Sequence, residues 1–156
     1  MKKKPFIPEI WQYVFDSCSL INIEQREGVR TLERRKGAIL ITERVKYEVA
    51  EDPRIRQTDP LRQFVLRNPE LVTRFKDNEE EEYLRILSQQ GINSGEASGM
   101  AIALKRNLPL VIDERDTKAT GKAKNHGIRT LSWKDFIEGK ISRNNISYAK
   151  TESRNR

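Results

Sequence analysis

Short apolar segments alternate with helix-forming segments along most of the chain, and this alternation constrains the fold more than any other feature of the sequence. Three of the apolar segments are rich in aromatic or branched residues: 11–15 (WQYVF), 38–41 (AILI) and 108–112 (LPLVI). Runs of this length and composition predict buried β-strands. Because a helix-forming segment follows each run, we expect a parallel sheet with helices on both faces.

Two weaker strand candidates, at 71–75 and 128–131, extend the predicted sheet. Helix boundaries are marked by Pro, Gly and small polar residues between the apolar segments. The predicted helices lie near 20–27, 42–52, 60–68, 78–87, 93–107, 118–126 and 132–138. The predicted fold class is therefore α/β, with a three-layer α/β/α arrangement around a mostly parallel central sheet.

The chain of 156 residues has the size of one domain and can bury a substantial core without metals or disulfides. We predict a basic N-terminal extension at 1–10, a folded domain at 11–140 and a flexible basic tail at 141–156. Cys18 is the only cysteine, so the chain cannot form an intramolecular disulfide.

The formal net charge of +7 favours contact with a polyanion such as RNA or DNA, although a solvated basic surface explains the charge equally well. No segment approaches the roughly 18 apolar residues that a membrane-spanning helix requires. The lysines at 2–4 are followed by prolines rather than by the apolar region of a signal peptide. We therefore expect a cytoplasmic protein that contacts no membrane.

Acidic residues directly follow two of the predicted strands. Asp16 comes after the first strand, and Asp113 comes after the segment LPLVI. Glu48 lies on the helix after the second strand, and Glu96 lies in the first turn of the helix at 93–107. Because ligands of open α/β sheets bind beyond the carboxyl ends of the strands, we expect these four carboxylates to meet in one cleft.

Neighbouring carboxylates repel one another, so a cluster that stays ionised normally holds a cation. Oxygen ligands suit Mg²⁺ or Mn²⁺, whereas zinc prefers His and Cys, of which the chain has only His126 and Cys18. A divalent metal held by carboxylates can activate water and stabilise charge on a phosphate. Together with the basic composition, the acids predict a metal-dependent nuclease.

Three stretches together resemble a known family: FDSCSLI (15–21), ITERVKYEVAED (41–52) and GEASGMAIALKRNLPLVIDERDTKATGKAKNHGI (95–128). Their combination and order are similar to those of PIN domains. This is the nuclease fold of many prokaryotic toxin–antitoxin toxins of the VapC type and of related processing nucleases. The resemblance extends from Val14 to Phe136.

The resemblance implies a role for each of the four acids. The first family acid falls on Asp16, and the second falls on Glu48 through the T-x-x-V-x-x-E spacing that begins at Thr42. The third falls on Glu96 and the fourth on Asp113. In this interpretation all four hold the metal, directly or through water, and take part in catalysis.

The resemblance also implies secondary candidates and shows one departure. Ser17 stands where family members often use a hydroxyl, and Glu114 and Asp116 are candidates for a further acid near the fourth. Many members carry Thr or Ser just before the fourth acid. Here Val111 and Ile112 stand at those positions, so that hydroxyl is missing.

The function that the resemblance implies is an endoribonuclease that cleaves RNA phosphodiesters with Mg²⁺ or Mn²⁺. If the chain is the toxin of a toxin–antitoxin pair, the resemblance further implies a homodimer and a small antitoxin protein that covers the cleft.

Each acid also has a purely structural interpretation. Asp16 or Ser17 can cap a helix, Glu48 can be solvated with Glu43 or Glu51 as the real ligand, Glu96 can form a capping box with Asn93, and Asp113 can be a turn residue. His126 precedes Gly127 at a predicted helix end and needs no catalytic role.

Other functions are less consistent with the sequence. A receiver-like or haloacid-dehalogenase-like phosphoryl-transfer enzyme also places aspartates at strand ends, but the latter requires Asp-x-Asp where this chain has Asp16, Ser17 and Cys18. The non-enzymatic alternative is a degenerate PIN-like module that binds RNA or a protein without cutting it.

Overall fold

The computed structural model describes residues 12–89, 91–113 and 117–139, and these contain a five-stranded sheet. The strands are β1 (Tyr13–Phe15), β2 (Ile39–Thr42), β3 (Val72–Thr73), β4 (Leu110–Ile112) and β5 (Thr130–Ser132). They follow the order β3-β2-β1-β4-β5, and every neighbouring pair is parallel. The α/β class with a three-layer arrangement is confirmed.

The helices are α1 (Ser17–Glu27), α2 (Val29–Arg34), α3 (Glu43–Lys46), α4 (Pro60–Arg67), α5 (Glu79–Leu87), α6 (Ser94–Arg106), α7 (Thr117–Asn125) and α8 (Trp133–Ile137). A π-helical turn, Tyr47–Glu51, continues α3. Neither α2 nor this turn was predicted as a separate element. Among the described residues, no helix combines the length and the apolar character that a membrane span requires.

The helix starts lie close to their predicted positions because five polar side chains cap them. Each of these side chains accepts a hydrogen bond from the backbone N–H three residues ahead, which a helix would otherwise leave without a partner. The capping residues are Asp16 for α1, Thr42 for α3, Asp59 for α4, Asn93 for α6 and Ser132 for α8. Between Asp16 and Ser17, the residue that caps α1 is Asp16.

The core consists of two apolar layers, one on each face of the sheet. Because side chains alternate along a strand, Phe15 lies in the first layer and its neighbour Val14 in the second. Helices α1, α2, α4 and α8 cover the first layer, where the ring of Phe136 packs edge-on against Phe15 with centroids 4.8 Å apart. Helices α5, α6 and α7 cover the second layer, with Met100 buried at its centre.

The strand order contains one switch point, between β1 and β4. From β1 the chain proceeds through β2 to β3 on one side, and it then returns to place β4 and β5 on the other side. Ligand sites in open parallel sheets lie at such a point, beyond the carboxyl ends of the strands. Asp16 and Asp113, which directly follow β1 and β4, flank it.

A buried ion pair joins the short edge strand β3 to the helices of the second layer. Arg106 of α6 donates to both carboxylate oxygens of Glu79, at 2.8 and 2.9 Å, and also to the Thr73 hydroxyl at 3.0 Å. The Lys76 amide donates to the same carboxylate at 2.6 Å. Because β3 contains only two residues, it forms few hydrogen bonds with β2. The bonds from Arg106 therefore help to hold this edge strand in place.

We expect Glu79→Gln to lower the free energy of unfolding at pH 7 by about 1–3 kcal/mol, because it leaves Arg106 without its charged partner. The hydrogen bonds from Arg106 hold the pKa of Glu79 below its ordinary value of 4.5. The stabilisation is therefore complete above that value and is lost as the pH falls through the lower native pKa. Urea unfolding between pH 3 and pH 7 measures it.

The matched control is Glu81→Gln, which changes an exposed acid in the first turn of the same helix. Equal unfolding free energies for Glu79→Gln and Glu81→Gln at pH 7 would contradict the role given to the ion pair.

Candidate metal-binding site

Asp16 lies at the carboxyl end of β1, where it caps α1 and is partly buried. Its Oδ1 accepts a hydrogen bond from the Ser19 amide at 2.8 Å. Burial raises the pKa of Asp16 to about 6, against the lowering effect of the Ser19 hydrogen bonds, and the charges of Glu96 and Asp113 raise it further. The structure thus brings Glu96 and Asp113, two of the other three predicted acids, within electrostatic reach of Asp16.

Asp113 follows β4 and is oriented by a residue that the sequence did not single out. The Asn22 side-chain amide of α1 donates to Asp113 Oδ2 at 3.1 Å. The Ser19 hydroxyl donates to the Val111 carbonyl at 3.3 Å, which ties the start of α1 to β4. In the sequence, Asn22 is simply a polar residue between Ile21 and Ile23. Nothing in that pattern identifies Asp113, 91 positions away, as its partner.

The Glu48 side chain contacts Gly95, the residue directly before Glu96. A Cβ atom at Gly95 would lie 2.5 Å from both carboxylate oxygens of Glu48, so the Glu48 side chain lies directly against the backbone before Glu96. Glu48 belongs to the π-helical turn, in which the Asp52 amide donates to the Tyr47 carbonyl five residues earlier at 2.9 Å. Such turns occur frequently at functional sites.

Glu96 forms the capping box that the sequence analysis held as an alternative. The Glu96 amide donates to Asn93 Oδ1 at 2.8 Å, and the Asn93 amide donates to Glu96 Oε1 at 3.3 Å. This reciprocal pair fixes the Glu96 carboxylate in the first turn of α6. Glu96 therefore caps α6 and also lies close enough to Asp16 to raise its pKa.

The alternatives to Glu48 are engaged elsewhere. Glu43 forms an ion pair with Arg74 at 3.1 Å, and Glu51 forms one with Lys46 at 3.0 Å. Glu48 itself has no ion pair within the part of the chain that the structure describes. Glu48 is therefore the acid of its segment that is available to a cation.

The secondary candidates have different outcomes. Ser17 is the first residue of α1, directly after the capping Asp16, and its role in the site stays a prediction. Glu114 and Asp116 lie outside the described residues, as do the predicted terminal extensions at 1–10 and 141–156.

The donor set fits a hard divalent cation in its chemistry. Asp16, Glu48, Glu96 and Asp113 offer only oxygen ligands, and the raised pKa of Asp16 reports a buried carboxylate close to two other negative charges, an environment that a cation stabilises. Among the described residues, no three carboxylate, histidine or cysteine side chains are already grouped tightly enough to hold a metal.

Comparison with protein families assigns the chain. The family model DUF3368, described as a PIN domain, matches residues 12–131, which is well over half of the sequence. The chain belongs to the PIN-domain family. PIN domains are generally nucleases, so this domain is a member of a nuclease family.

A solved structure supports the same fold for this PIN domain. The crystal structure of PAE2754 from Pyrobaculum aerophilum is similar to it, with a TM-score of 0.57 and 16% sequence identity. The likeness covers 83% of this chain and 96% of that chain. No curated protein sequence matches this chain significantly.

Gly95→Ala tests the contact between Glu48 and α6. We expect the added methyl group to push the Glu48 carboxylate out of position, because 2.5 Å is far below a normal contact distance. Binding of Mn²⁺, measured by isothermal titration calorimetry, should weaken by about 10–100-fold, as for other changes that misplace a metal ligand.

Gly99→Ala is the matched control, one helical turn further along α6. A Cβ atom there would meet Leu110 at 3.5 Å and Val14 at 3.7 Å, which are ordinary contacts. The helix should gain about 0.5–1 kcal/mol of stability, and Mn²⁺ binding should stay unchanged. Equal Mn²⁺ affinities for the two alanine variants would rule out the positioning role of Gly95.

Asp16→Asn should stabilise the metal-free PIN domain at pH 7. The native pKa of Asp16 is about 6, above the ordinary value of 3.8, so the native state binds the proton more tightly than the unfolded chain. The free energy of unfolding of the wild type should therefore fall as the pH rises from about 4 to about 6 and then level off. Asn retains the helix cap but does not titrate.

Urea unfolding in EDTA between pH 4 and pH 8 measures this difference. The variant should exceed the wild type by on the order of 1–3 kcal/mol at pH 7, and by progressively less towards pH 4. Parallel stability curves over the whole range would show that Asp16 is not under electrostatic strain.

Proposed function

We propose that this PIN domain is an endoribonuclease that cleaves RNA phosphodiesters with Mg²⁺ or Mn²⁺ held by Asp16, Glu48, Glu96 and Asp113. The observation that supports this best is the convergence of acids from four separate segments at the switch point of a PIN fold. Asp16 lies within electrostatic reach of Glu96 and Asp113, and Glu48 lies against Gly95.

The protein's own polar groups orient the oxygen ligands. The Ser19 amide orients Asp16, the Asn22 amide group orients Asp113, and the capping box orients Glu96. A bound divalent metal supplies the Lewis acidity that stabilises charge on the phosphate and lowers the pKa of a water molecule. The His126 ring bonds the Gln89 side chain at 3.1 Å, so we assign the proton chemistry to the carboxylate cleft.

RNA is the proposed substrate on the strength of the family resemblance, and the basic composition is consistent with it. The formal net charge of +7 provides affinity for a phosphate backbone of any sequence. From the same resemblance we propose a homodimer in the cytoplasm, regulated by a small antitoxin protein that covers the cleft. Co-purification of a short partner protein from the native source would support this regulation, and a monomer without a partner would count against it.

Cleavage of total RNA with and without Mn²⁺, with the cut ends mapped by sequencing, tests the proposed function. We expect cuts that appear only with the metal and decrease by on the order of 100-fold or more in Asp113→Asn, because a ligand is lost at the reacting centre. Circular dichroism verifies that the variant remains folded.

Glu70→Gln is the matched control for charge removal. Glu70 is exposed in the turn before β3, at the opposite edge of the parallel sheet, so its loss should leave cleavage unchanged. RNA that binds but is never cut by the wild type would instead favour the degenerate PIN-like module. Cleavage by Asp113→Asn at the wild-type rate would contradict the proposed mechanism.

A further inference from the structure

A pocket of about 180 Å³ lies beside the carboxylate cleft, at the carboxyl ends of β2 and β3. Its lining is formed by Thr42, Glu43, Arg44, Thr73, Phe75, Tyr83 and Ser98. Its volume is well below the ~300–1,000 Å³ of sites that enclose a whole drug-sized ligand, so it admits a single flat ring system.

Two aromatic rings form a wall of this pocket. The centroids of Phe75 and Tyr83 are 5.1 Å apart and their planes are tilted by 37°. Both side chains are partly exposed, although neighbouring apolar groups of the second core layer support them from behind. A half-exposed aromatic wall is a surface on which a planar ring can stack.

The floor of the pocket consists of hydroxyls whose protons are already used. Ser98 donates to the Gly95 carbonyl at 2.8 Å, so the Thr42 hydroxyl must donate to Ser98, 2.7 Å away. Thr42 also accepts from the Val45 amide at 3.1 Å. Each oxygen is thus left with acceptor capacity only, which favours a ring that presents an N–H group.

The rim carries cationic groups that suit a phosphate backbone. Arg44 is exposed, and its guanidinium lies 5.6 Å from the ring centroid of Tyr47. Its Nε donates to the Ser94 hydroxyl at 2.8 Å, at the start of the helix that carries Glu96. Arg74 lies outside the lining but pairs with the lining residue Glu43 at 3.1 Å. Two arginines and one glutamate therefore lie at or next to the rim.

The pocket is joined to the carboxylate cleft through shared elements. Arg44 and Glu48 lie one turn apart on the segment after β2, and Ser98 follows Glu96 on α6. A nucleic acid strand with a phosphate at the carboxylates would therefore carry a neighbouring base to the pocket. A peptide side chain would use the ring wall equally well, but it would leave the two arginines without phosphates.

We propose that this pocket binds one unpaired base of the RNA strand next to the scissile phosphate, by stacking on Tyr83 and Phe75. The inference rests on the proposed function and adds a base-binding subsite to it. Stacking of this kind tolerates any base, and the acceptor-only floor can accept from an N–H group of any of them, since adenine, cytosine and guanine present amino groups and uracil presents a ring N–H.

Binding in EDTA tests the subsite without cleavage. Fluorescein-labelled oligoadenylate and oligocytidylate of about 10 nucleotides are compared with an abasic ribose-phosphate oligomer of equal length, a size that one binding groove covers. Wild-type protein should bind at least one of the base-containing strands about 10–100-fold more tightly than the abasic strand. Tyr83→Ala should reduce this ratio to near one.

Two further variants separate stacking from folding. Tyr83→Phe retains the ring and should restore the wild-type ratio. Leu84→Ala removes a side chain that is 55% exposed on the same helix, and it should leave the ratio unchanged. Thermal unfolding of all the variants identifies any change that merely destabilises α5.

The possible results distinguish the subsite from the nuclease activity. Metal-dependent RNA cleavage together with a base preference that Tyr83→Ala does not change would overturn the subsite and leave the proposed function standing. A Tyr83-dependent base preference without any cleavage would overturn the proposed function and assign the pocket to an RNA-binding module. Equal binding of abasic and base-containing strands by the wild type would also overturn the subsite.

Discussion

Burial of a carboxylate at the carboxyl ends of a parallel sheet, with two further acids nearby, is the constraint on which the other features of this site depend. The strand order brings Asp16 and Asp113 to the switch point, and α6 adds Glu96 to the same region. An ionised cluster of this kind opposes folding when no cation is present. The rest of the fold must therefore hold the acids in place against their own charge.

Hydrogen bonds to the acids hold them in place, and the donors are groups at helix starts and on α1. Backbone amides at helix starts donate to Asp16 and Glu96, and the Asn22 side-chain amide of α1 donates to Asp113. The hydroxyl pair Thr42 and Ser98 ties the end of β2 to α6, so the segments that carry Glu48 and Glu96 are joined beneath the site. The same hydroxyls form the floor of the neighbouring pocket, which links the acids to the surface proposed to bind the base.

Most of the fold could be predicted from the sequence because helix caps and apolar runs depend on residues that are close together in the chain. A capping side chain such as Asp59 or Thr42 bonds a backbone group three residues away, so the helix start can be read from the chain itself. The features that were missed depend on distant contacts or on backbone geometry. Asn22 meets Asp113 across 91 positions, and the π-helical turn has no residue signature of its own. Asp16 and Asp113 were predicted from their positions directly after strands, and Glu48 and Glu96 from their positions on helices. That Glu48 has no ion pair among the described residues required coordinates.

Gly95 makes the site vulnerable to a change that leaves every acid in place. Since the Glu48 carboxylate occupies the space that any side chain at 95 would fill, a diverging descendant of this domain could retain all four acids and still lose their arrangement. Under the proposed function, counting acids in related sequences is therefore insufficient to identify the members that can bind the metal. The residue directly before the third acid carries the missing information.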